Sequence, residues 1–190
     1  MIKTVGIARD NTDVQSIDIW QDGLSATVLT WGAVLQDLRL VGHNLPLVLG
    51  FPKFKHYPRY SPSFGAMVGR YANRINRGQA RIDGQTHQLD TNYLGKHCLH
   101  GGTVNYGNQC WDIIDHEHNF VTLGLSDPDG MMGFPGECAV TCRYEIKAKN
   151  ILAITVEATT TQTTIFNPAH HSYFSLDDRN DIRGHHLCIA

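Results

Sequence analysis

Between residues 140 and 149 the chain alternates strictly. Val140, Cys142, Tyr144, Ile146 and Ala148 fall on one side of a period-2 template, and Thr141, Arg143, Glu145, Lys147 and Lys149 fall on the other. Successive side chains of a strand point to opposite faces, so this is a strand with one buried and one wet face. Leu152, Ile154, Val156 and Ala158 resume the alternation after Lys149-Asn150, which predicts a hairpin. Ala80-Arg81-Ile82 and Gln85 to Leu89 flank Asp83-Gly84, a pair that readily takes the positive φ of a two-residue turn, and make a second hairpin. Ser16 to Trp20 and Leu24 to Trp31, divided by Gln21-Asp22-Gly23, make a third. No amphipathic helix of ten or more residues is evident. The Pro- and aromatic-rich stretch 51–63 is expected to be a long loop. The pattern predicts an all-β fold of short antiparallel strands in a sandwich or barrel.

Composition narrows the function. The chain has 190 residues, 16 Lys plus Arg and 18 Asp plus Glu, for a formal charge of −2. Nucleic-acid binding through phosphates calls for a basic surface, and there is no basic run, so no nucleic-acid partner is expected. No stretch approaches the ~20 apolar residues of a membrane-spanning helix, so no membrane partner is expected. The start, Met1-Ile2-Lys3-Thr4-Val5, lacks a signal-peptide core. With five scattered cysteines, this suggests a reduced, cytoplasmic protein using Cys as small buried hydrophobes.

Four segments are polar, Gly-rich or aromatic in ways strands do not need: residues 64–75, Cys98 to Gly102, Ser126 to Gly136, and Asn167 to Leu176. Arg74 offers five fixed donors and Asn73 both donors and acceptors, which suits a polyhydroxylated ligand as well as a carboxylate. His100 and His171 suit acid–base work near neutral pH. Tyr173 and Phe174 offer flat faces for the C–H side of a sugar ring. Each segment also has a plain structural reading as a turn or salt-bridged loop.

No metal is expected. His116-x-His118, His170-His171 and His185-His186 are closer than the usual zinc pairs, and adjacent His on a strand face opposite ways. His97, Cys98 and His100 come nearer to a ligand cluster but have no second half. There is also no Gly-x-Ser-x-Gly elbow.

Taken in order, the four segments resemble the aldose 1-epimerase (galactose mutarotase) family. The matching residues are Gly69-Arg70-Tyr71-Ala72-Asn73-Arg74-Ile75, Leu99-His100-Gly101-Gly102, Ser126-Asp127-Pro128-Asp129-Gly130 with Gly133-Phe134-Pro135-Gly136, and His171-Ser172-Tyr173-Phe174. Weaker agreement includes Trp31-Gly32-Ala33, Leu49-Gly50-Phe51 and Trp111, and the resemblance runs from about residue 15 to the end.

The resemblance implies a large antiparallel β-sandwich, the mutarotase-like supersandwich, with residues 1–190 forming the N-terminal portion of one such domain. It implies interconversion of α and β anomers of a free hexose such as galactose or glucose, without cofactor or metal. A base takes the proton of the anomeric hydroxyl while an acid protonates the ring oxygen. The ring opens, the aldehyde rotates, and closure on the other face gives the other anomer. His171 matches the family's general acid, and His100 a second, sugar-contacting histidine. Asn73 and Arg74 match residues that bind sugar hydroxyls, and Tyr173 lines the same site.

Some positions depart from the family pattern. His170 and Ser175 stand where Asn is common, and Met131-Met132 replaces an often polar pair. The family's base is a glutamate near its C-terminus, and none of Glu117, Glu137, Glu145 and Glu157 lies in a matching segment. Leu187 to Ala190 reads as the middle of a strand. The fold is therefore expected to be incomplete within these residues, with unpaired edges that favour a homodimer, swapping or aggregation. Two alternatives stand beside the epimerase. One is a catalytically inactive carbohydrate-binding or regulatory module of the same fold. The other is a shortened enzyme whose base is Glu117, Glu137 or a carboxylate of a second subunit.

Overall fold

The computed structural model describes residues 1–177, 179 and 181–189. β1 (Ile2–Ile7), β2 (Asp13–Gln21), β3 (Leu24–Leu29) and β4 (Leu35–Leu40) form an antiparallel sheet in that order. Short pairings follow from β5 (Met67–Val68), β6 (Arg74–Ile75), β7 (Gln79–Ile82), β8 (Gln85–Gln88) and β9 (Cys98–Leu99). β10 (Asp112–His116), β11 (Phe120–Asp127), β12 (Cys138–Lys147) and β13 (Ile151–Thr160) form a second four-stranded antiparallel sheet, and β14 (Ala169–His170) returns to pair with β5.

The predicted alternation decides which faces meet. In the β12–β13 register Val140 opposes Ala158, Cys142 opposes Val156, Tyr144 opposes Ile154 and Ile146 opposes Leu152. Except for the exposed Ala158, these apolar rows pack against Ile17, Ile19, Ala26, Val28 and Leu35 of the first sheet in one core. The Tyr144 hydroxyl crosses the sandwich to donate to the Ala33 carbonyl at 2.6 Å. Asp83 and Gly84 carry φ of 48° and 79°, as the predicted two-residue turn requires, and Lys149 and Asn150 carry 65° and 57° in the three-residue loop between the paired Lys147 and Ile151.

Three expectations need correction. The 51–63 stretch is not all loop: Tyr57–Tyr60 form one helical turn, α1, started by Pro58 and anchored by the buried Phe54 and Tyr57 against Trp31. Leu187 to Ile189 forms no strand. Among the described residues no strand pairs with it, and Leu187 and Ile189 are 87% and 82% exposed; an extended segment becomes a strand only when a neighbour takes its backbone bonds. Ala190 lies outside the described residues. Cys98, Cys138 and Cys142 are buried as expected, but Cys188 is exposed.

The outer sides of β1 and β13 pair with no strand among the described residues. The accessible surface is 10799 Å², against about 9,100 Å² for a folded monomer of this mass. Exposed Phe166, Tyr173, Phe174 and Leu176 contribute to the excess. No helix among the described residues is long and apolar enough to cross a membrane.

Candidate active site

The four segments converge because three of them are tied to the first. The fourth zips along it: Ala169 and His170 pair with Val68 and Met67, the Ala72 N–H donates to the Asn167 carbonyl, and the Asn167 N–H donates to that of Arg70. The second joins at β6–β9, where Arg74 opposes Leu99 and the His100 N–H donates to the Asn73 carbonyl at 2.9 Å. The third is held by Arg70, which is 1% exposed. Its guanidinium donates to Asp127 Oδ2 at 2.9 Å and to the carbonyls of Pro135 and Gly136. Arg70, conspicuous in the motif, thus faces the interior and is unavailable to a ligand.

His170 and His171 behave as neighbours on a strand should. The His170 ring turns inward, edge-on to Tyr144 at 5.8 Å between centroids. Burial first, then the adjacent His171, push its pKa down to about 4. The His171 ring turns the other way, edge-on to His100 at 5.2 Å and beside Tyr173 at 5.3 Å. The His171 backbone is fixed on both sides, with its N–H on the Ala66 carbonyl at 2.8 Å and its carbonyl accepting the Gly65 N–H at 3.1 Å.

The Asn73 N–H donates to His100 Nδ1 at 3.1 Å. This leaves the ring proton on Nε2, which makes that nitrogen a donor. Burial, then His171 and Arg74, lower the His100 pKa to about 4, so it is a neutral imidazole at pH 7. The Arg74 guanidinium carbon lies 4.4 Å from the centre of the Tyr93 ring, and the guanidinium gives one N–H to Asn73 Oδ1 at 2.8 Å. Asn73, Arg74, His100, His171 and Tyr173 thus belong to one connected set of contacts.

His97 and His100 do not share a ligand direction, because the His97 ring accepts the Arg77 N–H instead. Sequence reasoning missed Tyr93, the platform under Arg74, and gave no role to Phe64 at the start of the first segment, whose ring lies tilted against Tyr173 at 4.9 Å. An aromatic in a loop carries no local signal for the side chain it will meet.

Gly101 and Gly102 lie at φ of 91° and 112°. A Cβ at Gly101 would run into the Gly69 carbonyl oxygen, and one at Gly102 would press on the Met132 side chain. Gly101→Ala is therefore expected to lower stability by about 1–3 kcal/mol and to displace His100. Denaturant melts and the His100 ring resonances check this; an unchanged melt would mean that the turn yields without strain.

The model of the aldose 1-epimerase family matches residues 15–190. Escherichia coli K12 aldose 1-epimerase is 34% identical over 171 residues, covering 88% of this chain and 49% of the relative. Rat galactose mutarotase is 33% identical over 184 residues, covering 93% and 52%. The crystal structure of galactose 1-epimerase from Lactobacillus acidophilus NCFM superposes with a TM-score of 0.81 at 31% identity, covering 92% of this chain and 52% of that one. An aldose epimerase homologue from C. elegans gives 0.82 at 31% identity, covering 88% and 52%. The chain spans about half the length of the curated relatives it matches. A family match over this span, with the same strand architecture, means that the chain belongs to the aldose 1-epimerase family.

Proposed function

We propose that this chain supplies the acid and the sugar clamp of an aldose 1-epimerase acting on a free hexose such as galactose or glucose. The observation that carries the reading is the His171 ring held 5.2 Å from the neutral His100 and linked through it to the Asn73–Arg74 pair. In this reading His171 gives a proton to the ring oxygen and retakes it on closure. His100 donates from Nε2 to a hydroxyl, the remaining Arg74 N–H groups reach neighbouring hydroxyls, and the Tyr173 ring, 47% exposed, forms an apolar wall.

The base is a carboxylate outside the four glutamates. Glu145 lies within 4 Å of Arg143 and Lys147. Among the described residues no glutamate side chain bonds to His100 or His171. The lack of a glutamate bonded to His171 among the described residues also keeps the second reading, a sugar-binding module without turnover. The open edge of β13 is in keeping with self-association, a homodimer being the simplest form.

Polarimetry on freshly dissolved α-galactose, paired with titration calorimetry, tests the assignment. The chain is expected to bind galactose saturably, to lose binding on Arg74→Ala, and to show little mutarotation alone. Added acetate should then raise the rate, with His171→Asn at least ~100-fold slower under the same acetate, the usual scale of a positioned proton donor. Equal rates for the two proteins would remove His171 from the acid role. A fast reaction without acetate that vanishes on Glu117→Gln or Glu137→Gln would place the base in this chain. Binding with no rescue at all would favour the binding module.

A further inference from the structure

A cleft of about 680 Å³ lies outside the His100–His171 set, within the range of ~300–1,000 Å³ common for ligand sites. Val5 and Ile7 of β1 line one side, and Pro52, Lys53, Lys55 and Pro58 line the other. Phe54 is also part of the lining and presses so closely on Gly6 that a Cβ there would meet its ring.

Several observations converge on this cleft. β1 is an edge strand whose outer side pairs with nothing among the described residues. Its register slips between Thr4 and Gly6, so Val5 is skipped in the ladder with β2. An open edge presents backbone donors and acceptors that an extended chain can take up. Val5 and Ile7 are 41% and 64% exposed, two residues apart as the apolar positions of a strand are. The loop side of the cleft is basic, whereas exposed Asp13 stands opposite Ile7 on the strand side. Lys53 and Lys55 are exposed and make no ion pair among the described residues, and residues 38–82 contain no Asp or Glu at all. Finally, β1 precedes residue 15, where the family-model match begins.

We propose that the cleft takes an extended acidic peptide, with apolar and acidic residues in alternation, which adds as a strand to β1. Its apolar side chains rest on Val5, Ile7 and the prolines, and its carboxylates face Lys53 and Lys55. Backbone pairing supplies register, and the lysines select charge.

The test uses the 190-residue chain and a fluorescein-labelled six-residue peptide alternating Val and Glu, compared with its Val–Lys counterpart. Anisotropy at low salt is expected to show at least tenfold tighter binding of the Glu peptide. The preference should shrink at 0.5 M salt, and K53E/K55E should reverse it. Amide shifts in an NMR titration should centre on Val5, Gly6 and Ile7. Equal binding of the two peptides overturns the proposal. So do shifts centred on β13, or self-association of the chain that occupies these same amides. Both lysines are exposed, so the variant should keep its circular dichroism spectrum.

Discussion

Arg70→Met is expected to remove about 3–5 kcal/mol of stability, the scale seen when one partner of a buried ion pair is deleted. Arg70 is 1% exposed and Asp127 4%. The guanidinium lies 2.8–2.9 Å from Asp127 Oδ2, reaches two backbone carbonyls and Thr164 Oγ1, and sits over the Phe134 ring. Met fills much of the same volume but donates nothing. It would leave the Asp127 carboxylate alone in a site where burial already raises its pKa against the pull of Arg70. Asp127 Oδ1 has no hydrogen-bond partner among the described residues, and apart from Arg70 only the Tyr106 hydroxyl acts to lower the Asp127 pKa. The loss therefore comes from the stranded charge rather than from missing contacts. Arg70→Met with Asp127→Leu should recover most of it, because the pair is then absent from both sides. Urea melts of the two singles and the double close the cycle. A double variant as unstable as Arg70→Met alone would show that the carbonyl bonds carry the effect. Because the same guanidinium fastens the third segment to the first, His100 and His171 should lose their fixed ring environments as Arg70→Met loosens the site.

The second large effect is acid lability above the carboxylate range. His100 and His170 both have pKa values lowered to about 4, in each case mainly by burial. In the unfolded chain an imidazole titrates near ~6.5. Between those values the unfolded state binds more protons, so stability rises with pH. The contribution of each histidine is complete above pH 6.5 and is lost as the pH falls toward 4. For His170 it is bounded at about 3.5 kcal/mol, from about 1.4 kcal/mol per pH unit, and for the half-buried His100 solvent screening makes it smaller. Urea midpoints from pH 7 down to pH 4.5 should fall accordingly. His170→Asn, which cannot take up the proton, should flatten at least half of that slope. A wild-type curve that stays level between pH 6.5 and 5 would mean that these rings are open to water.

Much of the architecture was legible along the chain. The three hairpins stand where the alternation and the Asp-Gly, Lys-Asn and Gln-Asp-Gly breaks put them, since strand faces and tight turns are local properties. The short α1 and the unpaired Leu187 to Ile189 were misread, the first because aromatic anchoring depends on Trp31 and the second because a strand needs a neighbour. At the site, the types of residue and their order pointed to the family. Their division of labour could not be read there. Two arginines four positions apart look alike in a motif, yet Arg70 is locked inside by Asp127 while Arg74 lies on Tyr93 beside His100.

The sequence by itself therefore determined the strand pattern, the turns and the set of polar segments, because period, β-branching and turn residues act over a few neighbours. Tertiary structure alone decided which histidine ring turns to Tyr144 and which to His100 and Tyr173. It also decided that His100 is neutral, and that an acid-free stretch of chain brings its lysines against an open strand edge. Those properties come from burial and from charges brought together across long stretches of chain, and neither exists until the sheets close on one another.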